Sequence, residues 1–344
     1  MNEIDIQQKV CLKNFNTFGV NATAKYFVSI TSIEQLIHLR TLEIARQVPI
    51  LPLGGGSNIL FVSDYAGMVV QLGLLGISEE KINDNEVIVS AAAGENWNAF
   101  TAYCIAKNYG GIENLALIPG NVGTAPIQNI GAYGVEIKDT FYKCKALDVE
   151  TGEIKFFYNN ECKFGYRDSI FKQNPGRYIV LEVSFLLTTH SHHINTSYGA
   201  INEELKRKQI ASPTIRDVAN AVISIRKSKL PDPAVIGNAG SFFKNPTIEL
   251  NQYDQLKSKY PDIPGYQNGE MVKIPAGWLI EKAGLKGKQI GNVATHDKQA
   301  LVILNKTGCA SGREIFQFSQ FIIDTIQTNF GITLEREVNC IGDI

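Results

Sequence analysis

Ile118-Pro119-Gly120-Asn121-Val122-Gly123-Thr124-Ala125-Pro126-Ile127-Gln128-Asn129-Ile130-Gly131-Ala132-Tyr133-Gly134 holds four glycines, two alanines and two prolines in 17 residues, and no charge. Small residues at this density leave the main chain itself as the surface on offer. An irregular run of this length is uncommon in a compact domain and is usually functional. If it is buried, each N–H and C=O needs a partner. A bound cofactor supplies such partners, and so does a sheet on which the loop packs.

Working outward, Gly54-Gly55-Gly56-Ser57-Asn58 follows the apolar strand expected at Pro49–Leu53. Three glycines let main-chain amides approach an anion, and Ser57 and Asn58 add side-chain donors. A tight structural turn asks for the same residues. The loop is no Walker A motif, because no Gly-Lys-Ser/Thr follows, and no Rossmann fingerprint, because GxGxxG with a downstream acid is absent. Downstream, Gly237-Asn238-Ala239-Gly240-Ser241-Phe242-Phe243-Lys244-Asn245-Pro246 sets Ser241 between small residues and an aromatic pair. Ser241 has no His-Asp partner order for a triad, but it could donate a proton in a crowded pocket.

Around these loops the chain reads as α+β. Strands are expected at 25–30, 49–53, 86–91, 141–149, 154–157 and 178–187, and two further apolar runs lie at 59–62 and 68–72. Ser32 with Gln35 forms a capping box that opens a short helix. A helix over 96–107 carries Trp97, Phe100 and Cys104 on one face, and Gly110-Gly111 is expected to close it. A polar loop near 188–197 and a helix near 214–227 follow. Two prolines in Ser228-Lys229-Leu230-Pro231-Asp232-Pro233 mark a boundary. The last helix has the clearest pattern: a Ser311/Glu314 capping box, then Ile315, Phe318, Ile322, Ile326 and Phe330, then Gly331. The chain is expected to end in a strand over 332–341. Its alternation puts Ile332, Leu334 and Val338 on one face and Glu335, Glu337 and Asn339 on the other.

The 344 residues include 33 basic and 34 acidic side chains, for a formal charge of −1. At ~100–200 residues per domain, two or three domains are expected. Apolar residues at 44% provide a core, and charged residues at 19% fall below the ~25% usual in soluble proteins. This balance argues against disorder and against a dedicated nucleic-acid binder. The opening MNEIDIQQKV is polar, and no run approaches the ~20 apolar residues of a spanning helix, so no membrane association is expected. Cys11, Cys104, Cys144, Cys162, Cys309 and Cys340 are scattered without a CxxC pair. They read as free thiols in the cytoplasm. His192-His193 would point to opposite faces of a strand, with no further ligand at metal spacing, so no metal is expected.

LGGGSNILF (53–61), IPGNVGTAPIQNIGAYG (118–134), FGYRDSIFK (164–172), SKLPDP (228–233), GNAGSFFKNP (237–246), AGWLIEKAGLKGKQIG (276–291) and LEREVNCIG (334–342) occur in this order over nearly the whole chain. In these stretches the chain resembles the UDP-N-acetylenolpyruvoylglucosamine reductases, flavoenzymes of peptidoglycan precursor synthesis. The resemblance implies a three-domain FAD-binding fold of the PCMH (vanillyl-alcohol-oxidase-like) type, not a Rossmann fold. Its parts are 1–72 with 332–344, then 73–230, both holding FAD, and 231–331 for substrate. The cofactors implied are non-covalent FAD and NADPH. The substrate implied is UDP-N-acetylglucosamine enolpyruvate, and a monomer is expected. Tyr198, in Thr196-Ser197-Tyr198-Gly199, matches the substrate-covering loop of the type I branch.

By the same resemblance, Gly54, Gly55, Gly56, Ser57, Asn58, Pro119, Gly120, Val122, Gly123, Thr124, Asn129, Gly131 and Ala132 hold the cofactor. Reduction of an enolpyruvyl ether delivers hydride to the methylene carbon and builds negative charge next to the substrate carboxylate. Such chemistry needs charge stabilisation and a proton. Arg167 matches the family's carboxylate-polarising arginine, for which a guanidinium fork is suited. Glu337 matches its C-terminal glutamate, which burial can keep protonated, and Ser241 its proton donor. Strand alternation alone does not choose between Glu335 and Glu337. Tyr166, Tyr198, Lys229, Asn245, Tyr266 and Gln289 match substrate contacts. Four lysines against two glutamates in 270–288 accord with an anionic ligand or with a solvated face. The chain departs from the enterobacterial branch at Arg336, in place of a proline, and Asn339, in place of an arginine. Another FAD oxidoreductase of this fold, or a non-catalytic UDP-sugar-binding protein, are the rival readings.

Overall fold

A computed structural model describes residues 4–343; residues 1–3 and 344, at the ends of the expected first subdomain, lie outside it. The chain gathers into two units. One holds the residues up to Val10, Ala24–Gly55 and Ala66–Ser228; the other holds Cys11–Thr23, Gly56–Tyr65 and the chain from Lys229 onward.

In the first unit, a four-stranded sheet runs in the order Gln7–Cys11, Thr23–Ile30, Tyr65–Leu72, Ile50–Leu53, and the last two pair in parallel. Helix Ile33–Thr41 starts where Ser32 Oγ accepts the Gln35 N–H at 3.2 Å. The return arm of the expected box reaches Thr31 instead, whose N–H donates to Gln35 Oε1 at 2.8 Å. Leu36 and Leu39 of this helix are buried with Val28, Ile30, Met68 and Val70.

A five-stranded antiparallel sheet follows the order Ile154–Tyr158, Phe141–Asp148, Tyr178–Thr188, Glu86–Ala92, Ile77–Lys81. The central strand is covered by helix Trp97–Ala106, capped by Asn96 Oδ1. Trp97, Phe100 and Phe185 pack with ring centroids 5.3–5.8 Å apart. Burial of each such ring contributes about 1.5–3 kcal/mol. Gly110-Gly111 does not close this helix. Asn108 turns left-handed there, at φ 60°, a conformation its short side chain tolerates, while Gly110 N–H donates to Thr188 O at 2.9 Å. Helix Gly199–Arg207, unanticipated, buries Ile201 and Leu205 against Val218, Val222 and Ile225 of helix Ile215–Lys229.

The second unit has a sheet in the order Gly237–Ser241, Val302–Asn305, Val293–Thr295, Gln289–Ile290 and a three-stranded sheet, Thr247–Glu249, Met271–Lys273, Tyr266–Asn268. Helix Gly312–Phe330 has the expected Ser311/Glu314 box, and Gly331 ends it at φ 69°. A Cβ on Gly312 would overlap the Phe61 carbonyl, so this first turn seats directly on main chain.

The expected strand over 332–341 is corrected. Only Asn339–Ile341 is a strand, parallel to Ile59–Phe61. The alternation holds for Ile332 and Leu334, buried, and for Thr333 and Glu335, exposed. It then breaks: Glu337 is buried along with Val338. Period two fails because the chain leaves one pairing partner, Phe242–Lys244, and joins another, Ile59–Phe61, between these residues.

Candidate active site

In the first unit, Gly54 and Gly55 leave strand Ile50–Leu53 against the stretch 120–124. A Cβ on Gly54 would lie 2.7 Å from Thr124 Cγ2, and one on Gly55 2.5 Å from Asn121 Oδ1 and 3.1 Å from Gly120 Cα. Neither position has room for a side chain, and Gly55 remains exposed. Anything approaching Gly55 therefore meets main chain. Asn121 Nδ2 donates to Gly94 O (2.5 Å), Val122 N–H to Glu95 O (2.8 Å) and Gly123 N–H to Ala93 O (3.0 Å), which stitches this segment to the end of strand Glu86–Ala92.

Left-handed non-glycine residues gather in the same segments: Leu117 (φ 61°), Asn129 (45°), Tyr133 (52°) and Arg167 (55°). Such strain persists only where surrounding contacts over-determine it, and it clusters at functional sites. Asn129 shows how. Fully buried, it donates to Glu136 Oε2 and Gly165 O, both at 3.0 Å, and accepts from Lys138 N–H at 3.2 Å. It thereby ties the glycine-rich stretch to the turn that presents Arg167. The Arg167 guanidinium donates to Gly131 O (3.0 Å) and lies 5.4 Å from the Tyr166 ring centroid. The Asp168 carboxylate accepts from Ser169 N–H and Gln173 Nε2. Tyr198, just before helix Gly199–Arg207, sets its half-exposed ring edge-on to Tyr133 at 5.1 Å. Burial pushes the Tyr133 phenol up, with the nearby Arg226 opposing.

In the second unit, the chain after Ser241 runs antiparallel to the C-terminal segment. Lys244 N–H donates to Glu335 O (2.9 Å), Glu337 N–H donates to Phe242 O (2.8 Å), and Phe243 faces Arg336. Ser241 and Glu337 are thus carried on neighbouring chains. The two glutamates that period two leaves open are separated: Glu335 forms an exposed ion pair with Lys244, whereas Glu337 is 9% exposed. Asn58 Nδ2 donates to Glu337 O (3.2 Å), and the Asn339 main-chain and side-chain amides both donate to Asn58 O (3.1 Å). Asn58, expected at the cofactor, here clamps the backbone of Glu337. Gly56 (φ 61°) packs on the Phe15 carbonyl, and its own carbonyl accepts from Thr17 N–H at 3.1 Å.

The expected substrate contacts divide. Asn245 Oδ1 accepts the Ala276 N–H (2.9 Å) at the start of helix Ala276–Lys282. Lys229 ends helix Ile215–Lys229 and is exposed; Tyr266 and Gln289 lie exposed in separate hairpins. Lys282 pairs with Asp262 and Lys286 with Glu281 at the surface, which favours the solvated-face reading for both. Sequence reasoning missed Asn16. Buried, it donates to Leu12 O and Val20 O and accepts from Val20 N–H, shaping the loop that carries Phe15 and Thr17. No local pattern marks it. Among the described residues no His, Cys, Asp and Glu group could hold a metal.

A family model described as "UDP-N-acetylenolpyruvoylglucosamine reductase, C-terminal domain" matches residues 232–341, and one described as "FAD binding domain" matches 24–157. A UDP-N-acetylenolpyruvoylglucosamine reductase of Flavobacterium johnsoniae is 48% identical over 340 residues, covering 98% of this chain and 100% of its own. The chain belongs to the UDP-N-acetylenolpyruvoylglucosamine reductase family. A UDP-N-acetylenolpyruvoylglucosamine reductase of Pseudomonas fluorescens is 44% identical over 337 residues, with 98% of this chain and 99% of its own covered. The crystal structure of the Thermus caldophilus UDP-N-acetylenolpyruvylglucosamine reductase matches with TM-score 0.67 at 22% identity, over 99% of each chain, and so shares the fold. The fold is the α+β FAD-binding PCMH type. For a UDP-N-acetylenolpyruvoylglucosamine reductase, the side-chain-free approach at Gly54–Gly55 and the fixed main chain of 120–123 fit a dinucleotide pyrophosphate, which glycine amides recognise.

Proposed function

We propose that this chain reduces UDP-N-acetylglucosamine enolpyruvate to UDP-N-acetylmuramate with NADPH, using Arg167, Ser241 and Glu337 as its catalytic side chains. The observation that carries the reaction is the near-full-length relationship at 48% identity. The cofactors are FAD and NADPH; FAD, when bound, would supply a hydride carrier between NADPH and the enolpyruvyl group. Gly54, Gly55, Gly56, Ser57, Asn58, Pro119, Gly120, Val122, Gly123, Thr124, Asn129, Gly131 and Ala132 hold it. Within that set, Asn129 and Asn58 act mainly by shaping the loops, as their hydrogen bonds favour.

Arg167 offers the substrate carboxylate a guanidinium already oriented by the Gly131 carbonyl. Orientation before the charge develops is what makes such a donor effective. Glu337, buried, meets developing negative charge best as the neutral acid, which donates a hydrogen bond to it. Ser241 supplies the proton to the adjacent carbon. Tyr166, Tyr198, Lys229, Asn245, Tyr266 and Gln289 contact the UDP-sugar, and the Tyr198 segment makes the chain type I. We keep a three-part division of 1–72 with 332–344, 73–230 and 231–331; the pairing of Asn339–Ile341 with Ile59–Phe61 joins the last strand to one segment of the first part. We place the enzyme in the cytoplasm as a monomer; six unbridged cysteines support a reducing compartment. No helix of the described residues is long and apolar enough to cross a membrane.

The test is NADPH oxidation by the purified flavoprotein with and without UDP-N-acetylglucosamine enolpyruvate. The expected result is oxidation that depends on the substrate. An equal rate without it contradicts the assignment and favours an oxidase of the same fold.

A further inference from the structure

Arg336, one residue before Glu337, has its own receptacle on helix Gly312–Phe330. Its guanidinium lies 4.2 Å from the Phe316 ring centroid, its Nε donates to Ser319 Oγ (2.8 Å) and a terminal nitrogen donates to Gln320 Oε1 (2.8 Å). Residues 316, 319 and 320 are i, i+3 and i+4, so they form one patch on the helix surface. Ser319 is fully buried and its hydroxyl donates to Phe316 O. Its lone pair, on an otherwise apolar face, is met by Arg336. The helix itself is fixed at both ends, by the Ser311/Glu314 box and by left-handed Gly331.

The opposite side of the same segment is also held. Glu337 N–H is bonded to Phe242 O, Lys244 N–H to Glu335 O, and Glu337 O accepts from Asn58 Nδ2. Arg336 is bridged to Phe243, and the Glu337 N–H on the next residue is bonded to Phe242 O. A guanidinium locked onto the helix therefore restrains rotation of the backbone that carries Glu337. We propose that Arg336 is a positioning residue for the reaction: its fork into Phe316, Ser319 and Gln320 sets the orientation of Glu337. This rests on the reading of Glu337 as catalytic. The fork matters here, not the charge. A lysine ammonium is a point charge and does not reproduce two directed donors with ring stacking.

The experiment measures anaerobic single-turnover reoxidation of NADPH-reduced enzyme by UDP-N-acetylglucosamine enolpyruvate. It compares wild type, Arg336→Met, Arg336→Lys, Glu337→Gln and the double variant Arg336→Met/Glu337→Gln, with Tm and FAD affinity measured beside it. Arg336→Met and Arg336→Lys should each slow reoxidation by about 10–100-fold, the scale of misplaced catalytic groups. Flavin reduction by NADPH and FAD affinity should stay within about twofold. In the Glu337→Gln background, Arg336→Met should cost nothing further, since residues acting as a unit are non-additive. Full activity of Arg336→Lys, or equal slowing of both half-reactions, overturns the proposal in favour of a charge effect or a general structural one. Full penalties in the double variant overturn it as well. If Glu337→Gln itself reoxidises at the wild-type rate, the reading of Glu337 fails, and Arg336 loses its role with it.

Discussion

At the residue scale, two glutamates two positions apart have different fates. Glu335 spends its charge on an exposed pair with Lys244, and such pairs contribute about 0–1 kcal/mol. Glu337 is nearly buried, with its backbone held by Phe242 and Asn58. Glu335→Gln should therefore leave turnover within about twofold of wild type, while Glu337→Gln should lower it by 10²-fold or more, the scale of a lost catalytic acid. Steady-state kcat for the two variants checks this, and equal losses count against the distinction. The departures at Arg336 and Asn339 also find physical accounts. Arg336 turns to the helix, and Asn339 bonds the Asn58 carbonyl, so neither removes Glu337 from its place.

At the element scale, what the sequence made legible was local. Helix Gly312–Phe330 declared both ends and its buried face, because caps and a 3.6-residue period act within one segment. Four strands of the five-stranded sheet were legible from their apolar runs; the fifth, Ile77–Lys81, was not, because its largely exposed Ser-Glu-Glu-Lys run shows no apolar face. The end of helix Trp97–Ala106 was not, because Asn108 could do what Gly110 was expected to do. The C-terminal strand was not, because a change of pairing partner leaves no trace in alternation. The catalytic candidates were legible only through long shared motifs; the clamps made by Asn58 and Asn129 join residues distant in sequence, and that of Asn16, though local, follows no capping or turn motif. The long helix offers a stability test. Ser311→Ala removes the N-cap and should cost about 1 kcal/mol. Gly331→Ala forces a side chain into φ 69°, costing about 1–2 kcal/mol even though the space is open. Urea denaturation should find each variant less stable and the two losses additive, since the sites are a helix apart. A Gly331→Ala variant as stable as wild type contradicts the left-handed cap.

At the scale of the whole molecule, acid should loosen the unit that holds the five-stranded sheet. The Lys155 ammonium, 2.7 Å away, holds the Asp148 carboxyl down at about 2, from an ordinary 3.8. Arg207 holds Glu204 at about 2, from 4.5. Both values are depressed in the folded state. Their stabilisation is therefore complete above pH 4.5 and is lost as pH falls toward 2. Tm should drop across that window, and Asp148→Asn, already lacking the carboxylate, should show a shallower drop. Identical slopes contradict Asp148 as a source.

In the proposed reaction labour is divided: loops of main chain receive the cofactor, and a few buried or tethered side chains handle charge and proton on the substrate. The most direct measurement is rapid mixing of the Ser241→Ala flavoprotein, first with NADPH and then anaerobically with UDP-N-acetylglucosamine enolpyruvate. Flavin reduction should proceed as in wild type, while reoxidation by substrate slows by about 10²–10⁴-fold, the contribution of a positioned proton donor. Reoxidation at the wild-type rate would contradict the account.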